Sequence, residues 1–218
     1  MGPAARRRAA TTEEASLTEE RFPQLADKDR AQLIALLEDA AKNWLAHDGT
    51  WFHAVEGAHG LEAAIRADAE AWRRFTVVEA RRIMKRQGIE PGGGIPALVR
   101  ALAYRLYAYI NVQDFTEQTG SRVVFRMRDC RVQSARRRKG LADFPCRTVG
   151  EVEYGYFARE IDPRIRTRCL YCPPGEHPAD VWCAWEFTLE EGYKGPRVPG
   201  SEGAAQKGSE GPRVQGFE

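Results

Sequence analysis

Arg164-Ile165-Arg166-Thr167-Arg168-Cys169-Leu170-Tyr171-Cys172-Pro173-Pro174-Gly175, followed by Val181-Trp182-Cys183-Ala184-Trp185-Glu186-Phe187-Thr188-Leu189, decides the fold. In the first segment Ile165, Thr167, Cys169 and Tyr171 share one face and arginines take the other. In the second, Val181, Cys183, Trp185, Phe187 and Leu189 alternate with smaller or polar residues. Period-two alternation bounded by a Pro-Pro-Gly turn reads as two strands. Working outward, residues 122–130 alternate in the same way, with Val123, Phe125 and Met127 on one face. Residues 107–117 read as a further strand, joined to them by a hairpin at Gln118-Thr119-Gly120-Ser121. Asp143 and Pro145 mark a helix start, with Pro in the first turn. That helix runs to about Ile161, presents Val149, Val152, Tyr156 and Phe157, and is broken by Asp162-Pro163. Residues 131–139 read as a short basic helix.

Upstream the period changes to that of a helix. Leu33, Leu37, Ala40, Ala41 and Trp44 mark one face, and Asp48-Gly49-Thr50 is expected to end that helix and cap a short one through Trp51, Phe52 and Val55. Gly60 introduces a long helix with Leu61, Ile65, Ala69, Trp72, Phe75 and Ile83 inward, closed by Gly88. Pro91-Gly92-Gly93-Gly94-Ile95-Pro96 reads as a connector, since it lacks the Gly-Lys-Ser/Thr ending of a phosphate loop. Residues 97–106 read as another helix. The expected fold class is α+β, a helical N-terminal half packed on a mostly antiparallel sheet that carries a cysteine-rich metal site. The expected division is a disordered lead over 1–16, a helical region over 17–106, an α+β cysteine-rich region over 107–191 and a disordered tail over 192–218.

Composition narrows the function class. The chain has 218 residues, is 43% hydrophobic and carries a net charge of +2. It has ample material for a core, and too little basic excess for a dedicated nucleic-acid binder. No apolar run reaches the ~18 residues of a membrane span. Met1-Gly2-Pro3-Ala4-Ala5-Arg6-Arg7-Arg8 has no apolar segment behind it, so a secretory signal is not expected. The expected compartment is the cytoplasm, where thiols stay reduced.

All five cysteines, Cys130, Cys146, Cys169, Cys172 and Cys183, lie in the second half. Cys169 and Cys172 form a Cys-x-x-Cys pair, Cys146 stands in the first turn of a helix, and Cys183 lies on the last strand. Soft ligands from a turn, a helix start and a strand are a usual way to build a tetrahedral thiolate site, so Zn²⁺ is the expected cofactor. Buried or redox thiols, and a Cys146 nucleophile favoured by the helix dipole, are the other readings. His177, between Glu176 and Pro178, reads as an exposed loop histidine.

The motifs Asp129-Cys130-Arg131, Phe144-Pro145-Cys146, Tyr154-Gly155-Tyr156-Phe157-Ala158, Ile161-Asp162-Pro163-Arg164, Cys169-x-x-Cys172-Pro173-Pro174 and Trp182-Cys183-x-Trp185-x-Phe187 stand together in one stretch. With Asp48-Gly49-Thr50-Trp51-Phe52, Val55-Glu56 and Glu79-Ala80-Arg81-Arg82-Ile83 upstream, the chain resembles an uncharacterised prokaryotic cytosolic protein family with a domain of unknown function. The resemblance covers about Leu17 to Leu189. That family is distantly similar to L-2-amino-thiazoline-4-carboxylic acid hydrolases and, in its C-terminal half, to the 4-vinyl-reductase domain, a small-molecule-binding module with a cysteine-rich zinc site. The resemblance implies Cys146, Cys172 and Cys183 as ligands, with Cys130 in place of an acidic one. The longer loop from Pro173 to Asp180 and the extra Cys169 depart from that module.

A second constellation lies in the helical half. Glu79 is spaced by sevens from Trp72 and Ile65, which puts it on the apolar stripe, where a carboxylate must find a partner or stay protonated. With Glu56 approaching from the preceding helix, it is the expected catalytic or ligand-binding pair. Arg81, Arg82 and His53 are its candidate partners. Arg136-Arg137-Arg138-Lys139 reads as a solvated basic face. The function expected from all of this is binding of a small molecule, with a structural zinc-thiolate site and hydrolysis of a compact polar substrate as its catalytic form. A non-catalytic sensor or protein-interaction module stabilised by zinc is the alternative. A small-molecule ligand is the expected partner, and neither membrane nor nucleic acid is.

Overall fold

The computed structural model describes residues 21–190. The expected lead and tail lie outside the described residues. A single turn, α1 (Pro23–Ala26), precedes a helical hairpin of α2 (Arg30–His59) and α3 (Leu61–Gln87). Then come α4 (Gly94–Leu102), a 3₁₀ turn (Leu106–Tyr109), β1 (Val112–Thr116), β2 (Arg122–Asp129), α5 (Arg131–Arg138), α6 (Cys146–Ile161), β3 (Ile165–Tyr171) and β4 (Cys183–Leu189). The expected α+β class is what the chain adopts: six α-helices and one four-stranded sheet among the described residues, with strand order β1-β2-β4-β3 and every pair antiparallel.

The expected helix break at Asp48-Gly49-Thr50 does not occur. α2 runs straight through it, starting from a reciprocal capping box between Asp29 and Gln32. Glycine inside a helix costs only about 1 kcal/mol, which packing easily offsets. Thr50, read as a cap, instead donates its hydroxyl back to the Ala46 carbonyl at 2.8 Å, as helical threonines do. The expected inner face of α2 is also only partly inner. Ala41 is buried, but Leu33 and Leu37 are exposed, because the opposite end of α3 packs on α6 instead. Gly88 does close α3, in the left-handed conformation at φ 59° that favours glycine. The next helix starts at Gly94 rather than Ala97. The fully buried Asp162 accepts the Gly94 N–H at 3.0 Å and binds Arg164, which holds its carboxyl below the usual range. Residues 107–110 are not strand, and Val181 precedes β4.

The sheet is two-faced. Its inner face carries Val123, Phe125, Met127, Cys183, Trp185 and Phe187 against α6 and α4, whose Phe157, Ile161, Leu98 and Leu102 complete the core. Phe125, Phe157, Trp185 and Phe187 are fully buried, each contributing roughly 2–3 kcal/mol of transfer free energy. The outer face is a lattice of ion pairs: Glu186 between Arg122 and Arg168, and Asp114 clasped by Arg126. A smaller aromatic cluster joins the hairpin to the 3₁₀ turn. Trp44 meets Trp72 and Phe75 at 5.8 Å, and Trp72 stacks on Tyr107 at 5.7 Å.

Candidate functional site

Between these two clusters lies a cavity of about 410 Å³. Its walls come from α2, α3, the 3₁₀ turn, α5, α6 and the starts of β4 and of the turn before α6, so both halves of the chain build it. Phe52, Trp72, Tyr107, Phe144, Tyr154 and Trp185 make most of the wall aromatic. One wall is unusually thin. A Cβ on Gly150 would stand 2.4 Å from Trp185 Cζ2, so only glycine lets α6 lie this close to the indole.

Three carboxylates converge on the cavity from three helices: Asp48 on α2, Asp68 on α3 and Glu153 on α6. Burial, then the charges of Asp48 and Glu153, push the Asp68 carboxyl up to about 7, against a hydrogen bond from Trp72. Burial likewise raises Glu153 to about 7, although Arg105 draws it down. Asp48 is raised by burial too. Behind them sits Arg105, only 2% exposed, between two acids. Its Nε donates to Glu79 Oε2 at 2.9 Å and its Nη1 lies 2.6 Å from Glu153 Oε1. The second contact is close but badly aligned, so Glu153 Oε1 accepts no hydrogen bond. Burial works against the Arg105 charge, yet the two glutamates more than offset it and its pKa is raised. The guanidinium also lies over the rings of Phe157, Trp72, Tyr154 and Tyr107.

Cys130, Cys146 and Cys183 also line the cavity, and Cys130 and Cys183 feel the charge of Glu153. Cys130 occupies the cap position of α5, and Cys146 is the first residue of α6. The Cys146 amide donates to the Pro173 carbonyl at 3.2 Å, tying this helix start to the turn after β3. Gln133, fully buried, clasps the same region: it binds the Phe144 backbone on both sides and donates to Cys146 Sγ at 3.0 Å. Burial pushes Cys130 up to about 11 and raises Cys146 and Cys183 further, with neighbouring thiols adding to the effect. Cys169 and Cys172 stand 3.4 Å apart, Cys169 donating, which lowers Cys172 to about 7, and Arg147 adds to this. Cys130, Cys146, Cys172 and Cys183 are thus close enough to feel one another's charge. As they stand, no group of three or more His, Cys, Asp or Glu side chains among the described residues is arranged to hold a metal ion. The donors suit zinc in kind.

The expected carboxylate pair is not assembled. Glu79 is buried as expected, but it binds Arg105 and does not line the cavity. Glu56 binds His53 at 3.1 Å. The hairpin sets Trp44 beside Trp72 and Phe75, so Glu56 faces the start of α3, about 25 Å along the axis from Glu79. The candidate partners Arg81 and Arg82 are replaced by Arg105, and Arg81 pairs with Glu160. The basic run is not uniformly solvated either: Arg136 is buried and donates to the Ala142 carbonyl at 2.6 Å, while Arg137 binds Asp143 and covers Trp182. The His177 ring nitrogen lies 2.9 Å from the Val181 carbonyl and 3.0 Å from that of Pro178, a loop-closing role. Asp68, Glu153 and Arg105 were not singled out from the sequence, and Asp48 was read only as a helix end and as part of a motif. The only available signal was a Glu in the buried stripe of α6, one turn from Val149.

An α+β domain with an aromatic cavity at the junction of its halves, lined by three carboxylates, is the class these observations define. Residues 26–189 match a family of unknown function (DUF6125), and the chain belongs to that family. No curated protein and no solved structure matches it. Among the described residues no helix is long and apolar enough to cross a membrane.

Proposed function

We propose that this protein binds a small organic molecule in the cavity between its helical hairpin and its sheet half. One observation carries the reading. Asn111 Nδ2 and Trp185 Nε1 are buried, belong to cavity-lining residues and have no hydrogen-bond partner. Each such group costs about 1–3 kcal/mol when left unmade, and native proteins rarely tolerate such groups together unless something recovers the loss. A ligand with an apolar body and a few polar atoms would do so, in a space of the size small-molecule sites use. The test is a panel of small molecules scored by melting temperature and tryptophan fluorescence. Binders should be lost in Ala135→Trp, which fills the cavity from α5. A broad panel with no binder, or binding that survives the filled cavity, would sink the reading.

A zinc ion braced by the thiol cluster belongs to the same proposal. Its support is the neighbourhood of Cys130, Cys146, Cys172 and Cys183, and the backbone tie between the α6 start and the Pro173 turn. When bound, zinc would supply a structural crosslink between α6 and the last hairpin. Elemental analysis of protein purified anaerobically should find about one zinc per chain. Cys172→Ser should lower both metal content and melting temperature, because metal binding is linked to folding. Free thiols at this density support a reducing compartment, the cytoplasm. Hydrolysis, suggested by the distant likeness to the thiazoline hydrolases, is the narrower form of the reading. Asp68 and Glu153, titrating near neutral pH, would be its acid and base. The presence of a cavity favours ligand binding over a purely interacting module.

A further inference from the structure

Resting on the ligand-binding reading, we infer that the ligand is an organic cation, a protonated amine on an apolar body, with its ammonium group seated among Asp48, Asp68 and Glu153. The charges there do not balance. Three carboxylates, those of Asp48, Asp68 and Glu153, line the cavity, and the one cation paired with any of them is Arg105, which binds Glu153. Arg105 is already engaged by Glu79 and Glu153. Asp48 and Asp68 form no ion pair with any described residue, and the group nearest to a counter-charge for Asp48 is His47. Of the cations that line the cavity, Lys42, Arg131 and Lys139 are exposed and sit at its mouth, and the buried Arg136 is engaged by the Ala142 carbonyl. Tertiary structure has therefore gathered like charges that repel, beside the aromatic side chains of Trp72 and Tyr107. Nothing in the protein's own core needs this arrangement, and a bound ammonium group would relieve it. The aromatic remainder of the cavity, Phe52, Phe144 and Trp185, suits an aryl or alkyl body.

The protonation behaviour agrees in sign. Asp68 faces Asp48 from α2, Glu153 from α6 and the Trp72 N–H from its own helix, and without a ligand it is half-protonated near neutrality. An arriving ammonium would expel that proton. Amine affinity should therefore rise from pH 5.5 to 8, over which an alkylamine with a pKa of about 10 keeps its charge.

The experiment compares three series of matched bodies by calorimetry: tryptamine and 2-phenylethylamine; indole-3-propionate and 3-phenylpropionate; and neutral indole and 2-phenylethanol. The amines should bind about tenfold more tightly than the neutral compounds and release protons on binding, read as a dependence of heat on the buffer's ionisation enthalpy. Asp68→Asn should weaken the amines about tenfold and leave the neutral compounds unchanged. Asp48→Asn is the second variant, should the first fold poorly. If neutral compounds bind as well as amines and neither variant discriminates, the inference is overturned while the cavity remains a binding site. Preference for the carboxylates, lost in Arg131→Gln, would assign recognition to the mouth and overturn it equally. No binding by any series would overturn this inference and the ligand-binding reading together.

Discussion

Around Arg105, two glutamates share one fully enclosed guanidinium. One of the two, Glu153, also faces Asp48 of α2 and Asp68 of α3, neither of which forms an ion pair with a described residue. Both clusters are acidic and both lie inward, but one is internally paid in opposite charge and the other is not. The first behaves as architecture: it locks α3, α6 and the 3₁₀ turn together, and its Arg105 and Glu79 lie outside the cavity. The second opens into the cavity and raises its own pKa values. Buried charge that is balanced holds a fold, whereas buried charge left unbalanced beside a void marks where something else belongs.

The largest effect should come from breaking the balanced cluster. Arg105→Met leaves Glu79 and Glu153 buried without a counter-charge and should cost about 3–5 kcal/mol in urea unfolding at pH 8. A loss below about 1 kcal/mol would mean that water already reaches the pair, and the architectural reading would fail. Next is the Trp185 wall. Gly150→Ala places a methyl group against the indole ring and should destabilise by about 1–3 kcal/mol despite the better helix propensity of alanine. An unchanged melting temperature would show that Trp185 swings aside freely.

The unbalanced cluster should show itself through pH. Folding raises Asp68 from 3.8 and Glu153 from 4.5, each to about 7. The unfolded chain therefore ionises them first. Their contribution is fully present below about pH 4 and is lost as the pH rises through 7. Without ligand, stability should fall from pH 5 to 8, and Asp68→Asn should recover about 1–2 kcal/mol at pH 8 while flattening the slope. A profile that is identical in the variant would remove Asp68 from the cluster. The smallest effect belongs to the outer part of α2. Leu33→Lys and Leu37→Lys should each change stability by less than about 0.5 kcal/mol, since both side chains are exposed. A cost above about 1 kcal/mol would reveal that this face is covered in solution by another surface.

Much was legible in the chain itself. Alternation in 122–130, 164–171 and 181–189 identified strands because each has one wet and one dry face, and the structure pairs them antiparallel. Gly60 and Gly88 bounded α3 because both occupy backbone conformations with positive φ. The heptad spacing placed Glu79 in the interior, where it lies. The break at Gly49 was misread because local signals weigh about 1 kcal/mol, less than the packing of two long helices. The charge that answers Glu79 came from Arg105, 26 residues on, and not from the neighbouring Arg81 or Arg82.

What the sequence determined by itself was the kind of material: two helical segments that must pair, strands with a single dry face, a buried glutamate and thiols crowded into the second half. These follow from periodicity and residue chemistry, which act over a few positions. Only the tertiary structure decided that Asp48, Asp68 and Glu153 line one cavity together with Cys130, Cys146 and Cys183. Residues as much as 105 positions apart, Asp48 and Glu153 among them, feel each other only once the hairpin has closed on the sheet. No local pattern encodes that meeting, because its energy is an electrostatic and packing term of the assembled chain.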